Sequence, residues 1–184
     1  MSNAAHTSGN NAQFCKLINL ATLTMHKVES ARMQAGRGLP VEDDLKLCQQ
    51  AIINYKEALS IPGIKVDNVI LASIYRNMSI AHDYLEEWDQ AITFCQKAID
   101  INPKSTDHKR LATSCMERAK KTYVSGNINL SIEDYKNAAP QWDLYLSQDP
   151  NATKQCYLDA VQVYTVLGNE VQAKKYLSIV QEKF

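Results

Sequence analysis

The residue types that do chemistry are present in this sequence, but not at spacings that assemble a site. Four histidines occur: His6, His26, His82 and His108. None forms HExxH or stands at ligand spacing from a cysteine, so zinc is not expected. The five cysteines, Cys15, Cys48, Cys95, Cys115 and Cys156, are odd in number and widely spaced, with no CxxC. They read as small hydrophobes in a reducing compartment rather than as disulfides or metal ligands. GxxxxGK[ST], GxGxxG and GxSxG do not occur, and Gly36-Arg37-Gly38 is too short to cradle a phosphate. Asp43-Asp44 and Glu86-Glu87 fall near expected helix starts, where acidic side chains complement unpaired N–H groups. The expectation is no enzyme, no cofactor and no metal.

Nucleic acid is a weaker alternative. Arg118, Lys120 and Lys121, with Lys109-Arg110, give a local basic cluster, and Trp88 and Trp142 are candidate stacking platforms. Against this, 20 Lys and Arg balance 20 Asp and Glu, so no global field draws in a polyanion.

The elements that carry these residues are helical. In Ala72–Lys104, Tyr75, Met78, Ser79 and His82 fall at i, i+3, i+4 and i+7, one helix face. Ala91, Cys95 and Ala98 do the same on a second helix, which Pro103 ends. The second-helix triplet recurs as Ala51, Tyr55, Ala58 and as Ser131, Tyr135, Ala138. Near the C-terminus Tyr157, Ala160, Val161, Tyr164, Gly168, Ala173, Leu177 and Val180 repeat the whole pattern. The triplets begin at Ala51, Ala91, Ser131 and Ala173, spaced by 40, 40 and 42 residues. Small side chains at these places let paired helices approach closely.

Along the chain, residues 12–33 carry the stripe Phe14, Leu17, Ile18, Ala21, Met25 and Val28, one long helix. Gly36, Gly38 and Pro40 predict a loop, with a second helix from about Val41 to Ser60. Asp67 is placed to cap the next helix, Thr106 or Asp107 to start the third pair, and Asn151 to cap the last. Pro140 predicts a kink or break in the helix running from about Asn129 to Leu146. Residues 1–11 read as a disordered tail. The remainder, 12–184, reads as a single domain of four pairs over about 12–62, 66–103, 105–149 and 151–184. A chain of 184 residues should bury roughly 70% of its unfolded surface. No apolar run approaches the ~20 residues that span a bilayer, and the N-terminus lacks a secretory layout. The expectation is therefore no membrane insertion and a cytoplasmic or nuclear setting.

The pattern resembles the tetratricopeptide repeat. Tyr75, Met78, Ser79, His82, Ala91, Cys95, Ala98 and Pro103 stand at that family's motif positions, with His82 and Cys95 where aromatics are usual. A typical unit is about 34 residues long, so the 40-residue spacing here implies longer helices or loops. The resemblance implies an all-α fold, a right-handed superhelix of about four antiparallel pairs and eight helices, with a concave face lined by the first helix of each pair. On that basis the expected partner-binding residues are Ser73, Arg76, Asn77, Ile80 and Asp83 in the second pair. Met116, Glu117 and Lys120 are those of the third pair, and Leu158 and Gln162 those of the last. Mixed polar and apolar side chains of this kind suit a peptide or a partner helix. The implied function is a non-catalytic protein-interaction adaptor, with homo-oligomers left open.

The second repeat also looks like those of immunophilin-type co-chaperones, which clamp an acidic chaperone tail. Asn77 matches the middle member of that clamp. Asp107 and Leu111 hold the places of its third-repeat Lys and Arg, and no Lys-x-x-x-Asn occurs in residues 12–33. A carboxylate would meet repulsion there. A co-chaperone with an altered clamp is thus the alternative reading, and the standard clamp is expected to be absent.

Overall fold

Amphipathic stripes with a 3.6-residue period, punctuated by capping and turn residues, leave this chain little choice but helical hairpins. The computed structural model describes residues 2–35 and 42–184. Among them stand α1 (Ser2–Ala35), α2 (Glu42–Ser60), α3 (Asn68–Tyr84), α4 (Trp88–Ile101), α5 (Ser105–Val124), α6 (Ile128–Gln148), α7 (Lys154–Val166) and α8 (Glu170–Lys183), with no strand. The loop expected at Gly36, Gly38 and Pro40 lies outside the described residues, as does Val41. The repeat pattern predicts one domain over 12–184. The structure sorts its helices into two compact units, Met1–Asn102 and Pro103–Phe184.

In the first unit α1 packs on α2 and α3 on α4, and α3 also meets α1 and α2. Phe14, Ala21, Met25 and Val28 of α1 are buried with Cys48, Ala51, Ile52, Tyr55 and Ala58 of α2. Ile74, Met78 and Ala81 of α3 and Phe94 of α4 complete this core. The helix α1 begins at Ser2 and so includes residues 2–11, which the sequence places in a disordered tail. Asn10 there donates from Nδ2 to the Pro62 carbonyl at 3.1 Å, a contact 52 residues away that composition cannot reveal. Asp67 caps α3 as expected, its carboxylate accepting from the Val69 N–H at 2.8 Å.

The small-residue proposition holds at Ala51, Ala58, Ala91, Ala98 and Ala138, each fully buried. Where His82 and Cys95 depart from aromatics, Phe94 supplies the ring. It stacks on His82 at 5.4 Å between centroids and lies 5.9 Å from Tyr75. A stacked pair of this kind is favourable beyond its buried area.

In the second unit α5 packs on α6, α6 on α7, and α7 on α8. Three expectations are corrected here. The helix α6 runs unbroken through Pro140. Pro140 is exposed, so the Lys136 carbonyl that loses its donor can turn to water. The helix α5 starts at Ser105 after Lys104, and Asp107 serves from inside the first turn, accepting from the Lys104 N–H at 3.0 Å. The N-cap of α7 is Thr153 rather than Asn151, whose own N–H is drawn to the Asp149 carboxylate at 2.9 Å. In α8 Tyr176 is buried, while Leu177 is 41% exposed and Ala173 only half-buried.

Three hairpins turn in one way. Leu85-Glu86-Glu87, Ser125-Gly126-Asn127 and Leu167-Gly168-Asn169 each place their middle residue at positive φ, 56°, 84° and 69°. In each, the third residue's N–H closes on a carbonyl five residues back: His82 at 3.0 Å, Thr122 at 2.9 Å and Tyr164 at 2.9 Å. That bond and the left-handed residue satisfy carbonyls the helix end would leave bare. Asn127 and Asn169 then cap the following helices through their side chains. Glu87 does not. Its carboxylate is taken by His82 Nδ1 at 2.5 Å.

Candidate functional site

The stride of α3 puts Ser73, Arg76, Asn77 and Ile80 along one side of that helix. Ser73 is exposed; Arg76, Asn77, Ile80 and Asp83 are half-buried. Arg76 donates from Nη2 to the Asn102 carbonyl, which follows the C-terminus of α4, where cations are favoured. Asn77 donates from Nδ2 to the Tyr55 hydroxyl at 2.8 Å, and that hydroxyl also bonds Thr22 Oγ1 at 3.1 Å. The three residues join α1, α2 and α3. Burial raises the Tyr55 hydroxyl above its usual pKa, which keeps it neutral. Ile80 packs against the buried core. The α3 face is therefore a half-buried strip whose polar members are already oriented by neighbouring helices, with Ser73 open to solvent.

In the second unit, the expectation for Met116 is corrected. Met116 is 3% exposed and its Sδ accepts from Trp142 Nε1 at 3.1 Å. The large indole of α6 covers this position of α5, and the same contact buries Trp142 fully. Glu117 and Lys120 pair at 2.6 Å, both about two-fifths exposed. On α7, Leu158 is half-buried and Gln162 exposed. Arg118 of the basic cluster grips Asp134. Arg118 and Trp142 of that set are thus engaged within the second unit, while Lys120 and Lys121 are exposed.

Sequence reasoning passed over one feature. A cavity of about 520 Å³ is lined by Lys120, Tyr123, Val124, Ile128, Ser131, Ile132, Tyr135 and Val166. Its signal was the run of apolar residues on both sides of the Gly126 turn, an odd place for side chains with nothing to cover. Among the described residues no group of three or more His, Cys, Asp or Glu could hold a metal ion.

The chain is 40% identical over 129 residues to the mitochondrial import receptor subunit TOM70 of Homo sapiens, an alignment covering 70% of this chain and 19% of that protein. The Mus musculus TOM70 is 40% identical over 57 residues, covering 30% of this chain and 9% of the relative. Two solved structures of MamA share the fold. One superposes with a TM-score of 0.55 at 20% identity, covering 98% of this chain and 85% of its own. The other gives 0.51 at 12% identity, with 96% and 92% covered. The paired helices of this chain have the tetratricopeptide-repeat fold. No family model matches the chain. The chain spans less than a fifth of the length of the curated relatives it matches. Around the repeats, the eight described helices pair in sequence order as α1·α2, α3·α4, α5·α6 and α7·α8.

Proposed function

We propose that the chain is a non-catalytic adaptor whose first-helix faces take up a segment of a partner protein. The observation that carries the reading is the α3 strip, where an exposed hydroxyl, a guanidinium, an amide and an aliphatic side chain follow one another along one helix face. Arg76 and Asn77 are each held by an intramolecular bond, so they meet a partner without first losing side-chain freedom. Backbone carbonyls of an extended or helical segment suit the donors, and Ile80 supplies apolar contact. Likeness to a protein named as an import receptor subunit is in keeping with a binding role.

A cytoplasmic setting belongs to the same proposal. Cys48, Cys95, Cys115 and Cys156 are buried free thiols, in keeping with a reducing compartment. Among the described residues no helix is long and apolar enough to cross a membrane. The geometry does not favour the co-chaperone reading: Asp107, at one of the clamp's cation places, is buried and accepts from the Lys104 N–H.

The test uses Ser73, the exposed member of the strip. Quantitative affinity capture followed by mass spectrometry compares wild type with Ser73→Arg, with helicity checked by circular dichroism. A specific protein lost from the variant at unchanged helicity supports the reading. An identical capture profile removes α3 from it.

A further inference from the structure

The cavity of the second unit has its own polar design, separate from the α3 strip. Its walls are Val124, Ile128, Ile132 and Val166, and several of these are open to water: Val124 is 86% exposed, Ile128 53% and Val166 49%. Tyr123 is 64% exposed beside them. Apolar side chains clustered so densely at a helix turn are a liability unless something covers them. The volume of about 520 Å³ lies in the range of sites that bind small ligands and peptide side chains.

Charge says what covers it. Lys120 is the one charged side chain among the residues lining the cavity, joined by the hydroxyl-bearing Ser131, Tyr123 and Tyr135. No carboxylate lines it. Lys120 is paired with Glu117 at 2.6 Å, but both side chains remain about two-fifths exposed. An exposed pair of this sort exchanges partners readily.

We infer that this cavity, at the α5–α6 turn and the end of α7, docks an apolar peptide segment that carries a carboxylate opposite Lys120. The segment's aliphatic side chains cover Val124, Ile128, Ile132 and Val166, and its carboxylate takes the Lys120 ammonium from Glu117. Glu117 thereby acts as an intramolecular competitor that sets the affinity. This inference goes beyond the α3 strip and does not depend on it.

The probe is a fluorescein-labelled helical peptide with Leu at i, i+3, i+4 and i+7 and a single Glu flanking that stripe, together with its Gln twin. Fluorescence anisotropy against the full chain reads the affinity. The Glu peptide is expected to bind about threefold more tightly than the Gln peptide, with the gap closing as salt rises. Lys120→Met should erase the gap while leaving Gln-peptide binding in place. Glu117→Gln should tighten the Glu peptide alone, which a merely structural role for Glu117 would not do. Val124→Asp, at an exposed position, should abolish binding of both. Equal affinity for the twins overturns the proposal, as does absence of binding at high micromolar protein. Self-association by sedimentation that Val124→Asp abolishes would show that a second copy occupies the cavity instead, which also overturns it.

Discussion

Arg118 holds Asp134 through two parallel hydrogen bonds, Nε to Oδ2 at 3.0 Å and Nη2 to Oδ1 at 2.5 Å. The Asp134 side chain has no exposure and that of Arg118 about a fifth. The pair therefore ties α5 to α6 with its carboxylate sealed from water. Removing one member leaves the other charge stranded, which costs more than the intact pair contributes. Arg118→Met should destabilise the second unit by about 3 kcal/mol, read from urea denaturation. The double variant Arg118→Met/Asp134→Leu should recover much of that loss. A single variant that melts like wild type would show that the carboxylate finds water after all.

The hairpin turns make a second prediction. Gly126 and Gly168 occupy the left-handed position of their turns, and Glu86 occupies it in the α3–α4 turn at φ 56°. An L side chain is strained there and glycine is not. Glu86→Gly should raise stability by about 1 kcal/mol, seen as a higher urea midpoint. Gly126→Ala and Gly168→Ala should lower it by a similar amount. An added Cβ at either glycine meets no atom within 4 Å, so the whole effect comes from the backbone.

Those turns also show which parts of the fold could be read without coordinates. Local signals worked well: Asp67 as a cap, Pro103 as a stop, and buried alanines recurring in register. Each depends on residues a few positions apart. What escaped depends on partners far along the chain. Tyr176 is buried against the Tyr157 and Tyr164 rings with its hydroxyl on Asp143, 33 residues away, at 2.6 Å, and the apolar Leu177 beside it stays out. The groove positions that the family resemblance implies put Met116 on an open face, but Trp142, 26 residues on, covers it. The α3 strip was legible as a set of positions. Its hydrogen bonds to Tyr55 and Asn102 were not, and neither was the cavity beside Gly126, which exists only once three helix ends meet.

Met116 offers a direct measure of that difference. As a buried side chain it fills space beneath Trp142, so Met116→Ala should leave a cavity and cost about 2–5 kcal/mol. Leu158→Ala, at a half-buried place, should cost clearly less. Thermal denaturation followed at 222 nm compares the two. Similar losses would mean that the two positions are buried alike.

Alkaline pH should destabilise the second unit through Tyr164 and Tyr176. Both hydroxyls donate to the Asp143 carboxylate, at 2.6 Å each. Burial, with this bond and the negative charge of Asp143, pushes both phenols well above their usual pKa near 10. Below about pH 10 the phenols are protonated in the folded and unfolded chains alike, so this contribution is intact. Above it the unfolded chain releases protons that the folded chain retains. The unfolded state then binds fewer protons, and stability falls as pH rises. The ellipticity at 222 nm should hold steady from pH 7 to 9 and be lost above about pH 10. Tyrosinate absorbance at 295 nm should rise together with unfolding, not ahead of it. Tyr164→Phe/Tyr176→Phe should be less stable at neutral pH, having lost both bonds, yet lose less additional stability between pH 9 and 12. An equal decline in the double variant would place the alkaline sensitivity elsewhere, with the Tyr145 hydroxyl of the same unit, raised chiefly by burial, as the next group to replace.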